Sequence, residues 1–147
     1  MPVLGLRDRF KGLGLGGQLK GFIKFQRTPK TVEPRSILIV DGNAEDRRST
    51  ARRVSRIQYK PIEAANADEA LDKLTETRPD CVLLAMDLPG RSGLDLLTEL
   101  RQLQPDLEVV MLTRDWHDGR SAEAMRRGAV AYLAQPFSQD DLRELLR

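Results

Sequence analysis

Side chains that could do chemistry stand at the ends of short apolar runs of this sequence. Asp41 follows SILIV, Thr113 follows EVVML, and Asp87 lies two residues beyond CVLLA. In a parallel sheet chemistry gathers where the strands end, so the residues that follow each run are the first to inspect. The other positions at these ends are Gly42, Ala85, Arg114 and Gln135. These residues are less suited to chemistry, because the methyl group of Ala85 has no nucleophilic atom and the amide of Gln135 carries no charge.

These side chains need elements that position them, and the chain supplies a regular pattern from residue 36 onward. Short apolar runs, which favour strands, alternate with segments of helical period. The predicted strands are 36–40, 61–65, 81–85, 108–112 and 129–133, and the predicted helices are about 44–57, 67–77, 93–103, 118–127 and 139–147. Asn43 and Asn66 are suited to cap the helices that follow them, and Gly128 is suited to end the fourth helix. The alternation predicts a doubly wound α/β fold, in which the carboxyl ends of parallel strands meet at one edge.

Four motifs carry a resemblance to a known family. ILIVD ends the first strand, LLAMDLPGRSGLDLL spans the third strand and the next helix, VVMLT ends the fourth strand, and GAVAYLAQPF covers the last strand. With these motifs in this order, residues 36–147 resemble the receiver domain of bacterial two-component response regulators. The resemblance implies a flavodoxin-like fold with a five-stranded parallel sheet in the order 2-1-3-4-5.

The resemblance also implies a chemistry in which an aspartate accepts a phosphoryl group with help from a divalent cation and a lysine. It places the acceptor at Ala85, the second acidic residue of the first strand at Gly42, and the lysine at Gln135. Arg114 stands where the family usually keeps a small residue. The nucleophile, one metal ligand and the cation are therefore replaced. We expect a degenerate phosphorylation pocket, with no catalytic residue, metal, cofactor or small-molecule substrate, and hence no enzyme activity.

Three residues of this pocket leave alternatives open. Thr113 matches a switch position of the family, but a hydroxyl at a strand end is also expected to bond a loop. Asp87 could act as a displaced acceptor, although Pro89 turns the chain into its loop just beyond it. Arg114 could fold inward and pair with Asp41 or Asp87, or it could lie on the surface with its stem packed on a neighbour.

Residues 1–35 differ in composition from the rest of the chain and form a predicted N-terminal arm. They hold six of the eleven glycines and eight Lys or Arg against two acidic residues, a net charge of +6, whereas residues 36–147 have a net charge of −4. Glycine opposes helix formation, so the arm is not expected to fold alone. Its amphipathic basic pattern suits a protein partner or an anionic membrane surface, and a disordered solubilising tail is the alternative. The residues predicted to attach it are Phe10, Leu15, Leu19, Lys20, Phe22, Ile23, Lys24 and Phe25.

Two aromatic residues of the domain are further candidates for partner binding. Trp116 lies in the polar stretch RDWHDGR, and Tyr132 lies on the predicted last strand, at the family's second switch position. Packing within the fold is the alternative for both. On the predicted first helix, Arg48, Arg52 and Arg56 form a basic stripe, which a solvated face would explain.

The sequence indicates where the protein works as well as how. No apolar stretch approaches the roughly 20 residues that cross a bilayer, and the N-terminus lacks the features of a signal peptide. The lone Cys81 fits a reducing compartment. We expect a cytoplasmic protein, with peripheral attachment to the inner membrane as an open alternative.

The resulting functional hypothesis is a pseudo-receiver that works independently of phosphorylation. It would act as an adaptor or accessory subunit and would bind protein partners through its arm and its surface. One alternative is a conventional single-domain response regulator in a phosphorelay. A second is a nucleic-acid-associated factor that uses the basic arm, which is disfavoured because no nucleic-acid-binding motif is present.

Overall fold

The computed structural model describes residues 35–115 and 119–146. In this part of the chain the strands are β1 Ser36–Val40, β2 Lys60–Ala64, β3 Cys81–Ala85, β4 Asp87–Leu88, β5 Arg91–Ser92, β6 Glu108–Thr113 and β7 Ala131–Ala134. The helices are α1 Ala44–Arg56, α2 Ala67–Thr77, α3 Gly93–Leu103, α4 Arg120–Arg126 and α5 Gln139–Leu146. No helix among these residues is long and apolar enough to cross a membrane.

Five strands form one parallel sheet in the order β2-β1-β3-β6-β7. The predicted order 2-1-3-4-5 is confirmed, since β4 and β5 form a separate two-residue antiparallel ladder between β3 and α3. The register aligns Val40 of β1 with Leu84 of β3, and Ala85 of β3 with Leu112 of β6. The carboxyl ends of β1, β3 and β6 therefore lie side by side, as the sequence pattern predicts.

Helices cover both faces of the sheet, which explains the continuous apolar runs of the central strands. Every residue of β3 and β6 is buried. One face packs against α2, α3 and α4 through residues such as Leu74, Leu97 and Ala124. The opposite face packs against α1 and α5 through residues such as Val54 and Leu142. Thus α1 and α2, which are consecutive along the chain, lie on opposite sides of the sheet.

The helix caps follow from local sequence. The side chains of Asn43 and Asn66 accept hydrogen bonds from backbone N–H groups in the first turns of α1 and α2, as predicted. Ser92 does the same for α3. Gly128 follows α4 with a φ of 108°, in the region that glycine adopts without strain.

Several element boundaries differ from those predicted: α1 ends at Arg56 rather than at 57, and β6 ends at Thr113 rather than at 112. β2 lies one residue earlier, at 60–64. Its pairing with β1 begins with Lys60 opposite Ser36 and ends with Ala64 opposite Val40. α4 spans 120–126 rather than 118–127, and its last turn is tightened by hydrogen bonds from Arg127 N to the carbonyls of Glu123 and Ala124. β7 spans 131–134 rather than 129–133, because the amide of Ala129 bonds back to the carbonyl of Ala124 in α4.

Candidate functional site

An open pocket of about 480 Å³ lies at the carboxyl edge of the sheet. Its walls are the segments that follow β1, β3, β6 and β7, together with the start of α4. Six of the seven residues predicted for the degenerate pocket line it, namely Asp41, Gly42, Ala85, Asp87, Arg114 and Gln135. The seventh, Thr113, is buried directly beside Leu112 of the pocket wall.

Asp41 is the buried carboxylate of this pocket. It directly follows β1, and its residue is 6% exposed. Its Oδ1 accepts a hydrogen bond of 2.9 Å from the Asn43 N–H, and its backbone carbonyl accepts one of 2.8 Å from Arg47. Burial raises the pKa of the Asp41 carboxyl above its ordinary value of 3.8, and the bond from Asn43 opposes that rise. The carboxylate is thus held in place at an energetic cost.

Asp41→Asn is expected to stabilise the domain at neutral pH. Because the folded state holds the proton of Asp41 more tightly than the unfolded state, ionisation lowers the free energy of unfolding as the pH rises from 3.8 through the raised pKa. Asparagine does not ionise and keeps the bond from Asn43. Urea unfolding of both proteins across this pH range measures the difference, which should vanish below pH 3.8.

The exposed carboxylate Asp106 gives the matched control for that measurement, since Asp106→Asn should leave stability nearly unchanged across the same range. If Asp41→Asn is instead less stable than wild type at neutral pH, the nearby cations Arg47 and Arg114 outweigh the cost of burial.

Ala85 ends β3 and is 7% exposed, with its side chain on the pocket wall. The chain turns directly after it, because the Met86 N–H donates to the carbonyl of Leu112 and the Gly93 N–H donates to the carbonyl of Met86. Gly93 starts α3 in close contact with this turn: a Cβ at position 93 would lie 2.2 Å from the carbonyl oxygen of Ala85. The end of β3 is therefore fixed between β6 and α3.

Gly42 packs under the ring of Pro89. A Cβ placed on Gly42 would lie 2.7 Å from Cδ of Pro89, closer than real Cβ atoms approach their neighbours, and 3.0 Å from Cγ, which is a tight contact. A proline ring has little freedom to withdraw, so any side chain at position 42 requires the loop of Pro89 to move. The ring of Pro89 thus occupies the space that a side chain at position 42 would need.

Two ion pairs lie across the pocket mouth. Arg114, after β6, pairs with Asp46 in the first turn of α1. Arg120, at the start of α4, pairs with Asp87 at 2.8 Å. Of the two alternatives left open for Arg114, the structure shows the surface position: its side chain is 61% exposed and pairs with Asp46, not with Asp41 or Asp87.

Asp87 and Thr113 occupy different surroundings. The Asp87 side chain is 81% exposed and points to Arg120 at the mouth of the pocket. Thr113 is 1% exposed, and its Oγ1 accepts a hydrogen bond of 3.1 Å from the Asp115 N–H. The Thr113 carbonyl accepts one of 2.7 Å from the Gln135 N–H. Thr113 thus bonds the loop that follows it, and it joins the ends of β6 and β7.

The acidic residues of the pocket do not form a metal-binding set. Within residues 35–115 and 119–146, no group of three or more His, Cys, Asp or Glu side chains is arranged to hold a metal ion. Among the described acidic residues that line the pocket, only Asp41 is buried, and both Asp46 and Asp87 are engaged by arginines. The donor set therefore does not fit an octahedral magnesium ion.

Of the residues predicted to bind partners, the structure describes only Tyr132. It lies on β7 beside Met111 and is 40% exposed, so it is available at the surface. Trp116 lies outside the described residues. So do all the predicted residues of the arm, from Phe10 to Phe25.

Two residues that shape the pocket, and the packing role of a third, are not predicted from the sequence. Asp46 and Arg120 close its mouth, and Pro89 fills the space over Gly42. Asp46 does have a local signal, because it lies in the first turn of the helix that starts at the pocket. Arg120 and the packing role of Pro89 have no local signal, since each depends on a residue distant in sequence.

Comparisons with known proteins agree with this architecture. The family model described as the response regulator receiver domain matches residues 37–147. Sporulation initiation phosphotransferase F of Bacillus subtilis is 32% identical over 111 residues, which cover 76% of this chain and 90% of that protein. Phosphate regulon transcriptional regulatory protein PhoB of Pseudomonas aeruginosa is 33% identical over 110 residues, which cover 74% of this chain and 48% of that protein.

Solved structures give the same result. A crystal structure of a response regulator protein from Burkholderia pseudomallei with a phosphorylated aspartic acid, calcium ion and citrate has a TM-score of 0.71 and 29% identity. That match covers 77% of this chain and 66% of the other. The chain spans about half the length of the PhoB regulator. From the fold, the pocket at the carboxyl edge and these matches, the chain belongs to the response regulator receiver family of two-component signalling.

Proposed function

We propose that this receiver domain is a pseudo-receiver, which binds protein partners without being phosphorylated and is no enzyme. The observation that carries the proposal is Ala85. It ends β3 on the wall of the pocket, at the position that resemblance to the family assigns to the acceptor aspartate. A methyl group has no oxygen to which a phosphoryl group can be transferred.

The surroundings of Ala85 support the same function. Asp41 stands without a second acidic residue beside it, because position 42 is a glycine packed under Pro89. Gln135 brings a neutral amide where a cation would stabilise an acyl phosphate. Restoring one of these features would leave the others missing, so the loss of phosphorylation is expected to be robust to single substitutions.

The two ion pairs at the pocket mouth favour one arrangement of the surrounding loops. Arg114 joins the β6 end to α1, and Arg120 joins α4 to the loop that follows β3. Exposed ion pairs stabilise by less than about 1 kcal/mol each, so they bias the loops without locking them. We infer that the surface offered to partners depends on the fold itself and needs no phosphoryl group to organise it.

We assign attachment to the arm, residues 1–35, with a protein as the partner and the cytoplasm as the location. A segment that combines basic and apolar side chains suits a partner at the cytoplasmic face of the membrane, where anionic lipids add attraction. The receiver surface around Tyr132 would supply a second contact. Two weak contacts on one chain give a stronger attachment than either alone.

Incubation with a small acyl-phosphate donor and magnesium tests the loss of phosphorylation. The wild-type protein and Ala85→Asp are both expected to keep their unmodified mass, because Gly42 and Gln135 remain uncorrected in the variant. Intact-mass spectrometry gives the readout. The Burkholderia response regulator, solved with a phosphorylated aspartic acid, is the positive control for the assay. Stable phosphoryl incorporation at Asp87 in the wild type would show that the acceptor is displaced and not lost.

A conventional response regulator remains the second candidate, and family membership favours it. The relatives named above include a phosphotransferase and a transcriptional regulator. Asp41 and Thr113 also stand at positions that match the family's site. The labelling experiment separates the two candidates, since only a working receiver takes up a phosphoryl group.

A further inference from the structure

The outer face of α1 carries a row of arginines without partners. Arg48, Arg52 and Arg56 follow one another at intervals of four residues, so they lie on one side of the helix about 6 Å apart. All three are exposed. Within the described part of the chain, none of them forms an ion pair or a side-chain hydrogen bond.

Arginines elsewhere on the domain behave differently, because most of them pair with a carboxylate of the same chain. Those that form such ion pairs are Arg47, Arg91, Arg114, Arg120, Arg126, Arg127 and Arg143. These seven arginines each contact a carboxylate of the same chain, whereas within the described residues the three arginines of the row on α1 do not.

The outer face of α2 carries a row of opposite charge with the same spacing. Asp68, Asp72 and Glu76 are exposed and also follow one another at intervals of four residues. Glu76 has one long contact, 3.8 Å to Lys73. No ion pair engages Asp68 or Asp72 within the described residues.

The two rows face away from each other within one molecule. α1 packs on one side of the sheet with Val54, and α2 packs on the other side with Leu74. A single copy of the chain cannot bring the rows together. A second copy can, and the equal spacing then allows each arginine to meet one carboxylate.

We propose that α1 of one copy docks on α2 of a second copy, so that the arginine row meets the acidic row. The contact uses two different surfaces and is therefore heterologous. It leaves a free acidic row on one molecule and a free arginine row on the other, so it propagates into chains of copies. This proposal does not depend on the absence of phosphorylation or on the arm.

The association is expected to be weak and sensitive to salt. Exposed ion pairs contribute little individually, and one helix resting on another buries less than the roughly 800 Å² per partner of a standard interface. Screening shortens the reach of such charges to about 10 Å at 0.1 M salt and to about 3 Å at 1 M. Association should therefore appear at high protein concentration and low salt, and disappear at high salt.

Sedimentation velocity of the full chain, over a range of concentrations and salt, tests the proposal with two charge-reversed proteins. One carries Arg48→Glu, Arg52→Glu and Arg56→Glu; the other carries Asp68→Lys, Asp72→Lys and Glu76→Lys. Each alone is expected to stay monomeric at low salt, where the wild type forms larger species. An equimolar mixture should associate again, because the reversed rows are complementary to one another.

A control protein with Arg91→Glu, Arg126→Glu and Arg127→Glu has the same change in net charge as the arginine variant, but on β5 and at the end of α4, away from both rows, and it should associate like the wild type. Circular dichroism checks that every variant is folded. A wild type that stays monomeric at low salt overturns the proposal. So does a folded mixture that fails to associate, and so does association of the arginine variant alone, which would mean that the basic arm and not α1 meets the acidic row.

Discussion

Replacing Gly93 with alanine is expected to destabilise the domain by about 3 kcal/mol or more, the largest effect we expect of a single added methyl group. Gly93 starts α3 directly against the end of β3. Its added Cβ would lie 2.2 Å from the carbonyl oxygen of Ala85 and 2.8 Å from that of Met86. Both are backbone atoms of a buried strand end, so neither can move without disturbing the sheet. Urea unfolding followed by circular dichroism measures the loss.

Gly90→Ala is the matched control for this experiment. Gly90 lies in the same loop with a φ of 74°, and a Cβ there meets nothing within 4 Å. Alanine at this position should cost about 1 kcal/mol through backbone strain alone. If both variants unfold at the same urea concentration, the close approach between Gly93 and the end of β3 is not a constraint on the fold.

Deleting residues 1–30 is expected to abolish association with the native partner while leaving the thermal unfolding of the domain nearly unchanged. Burying four apolar side chains of the arm, such as Leu15, Leu19, Phe22 and Ile23, would contribute about 6 to 10 kcal/mol before the cost of ordering the segment. The measurement is co-fractionation of the full-length and truncated proteins with the membrane and soluble fractions of the native cells.

Two variants separate the forces that act in the arm. Phe22→Ser with Ile23→Ser removes apolar anchors, and Lys20→Gln with Lys24→Gln removes charge. Binding that resists salt and fails in the first variant indicates apolar docking on a protein. Binding that fails in the second variant and at high salt indicates attraction to an anionic surface. If the truncated protein still co-fractionates fully, the arm is only a solubilising tail. Attachment then belongs to the surface around Tyr132.

The central part of the fold follows from the sequence because its cause is local. β1 and β3 are found at the predicted residues, since strands covered on both faces read as unbroken apolar runs. α2 begins at the predicted residue because Asn66 caps it. The limits of α4 and β7 were not predictable in the same way, because they depend on hydrogen bonds such as that from Val130 to the carbonyl of Val109 in another strand.

The candidate site shows the same difference between features with a local cause and features that depend on residues distant in sequence. Its positions at the strand ends follow from the topology of a parallel sheet, so six of the seven predicted residues line the pocket. The contacts at the mouth of the pocket do not follow from this topology. Arg114 and Asp46 are 68 residues apart in the chain, and Arg120 and Asp87 are 33 apart. Which carboxylate an arginine reaches is decided by the assembled surface, where several partners of similar energy compete.

The contact between Gly42 and Pro89 has a consequence for engineering this domain. A Cβ at position 42 would lie 2.7 Å from Cδ of Pro89, so an acidic side chain introduced there requires the loop of Pro89 to shift. The effects of substitutions at Gly42 and Pro89 on stability are therefore expected to be non-additive, because each residue occupies space that the other would need. A double-mutant cycle at these two residues would measure that coupling as a free energy different from zero.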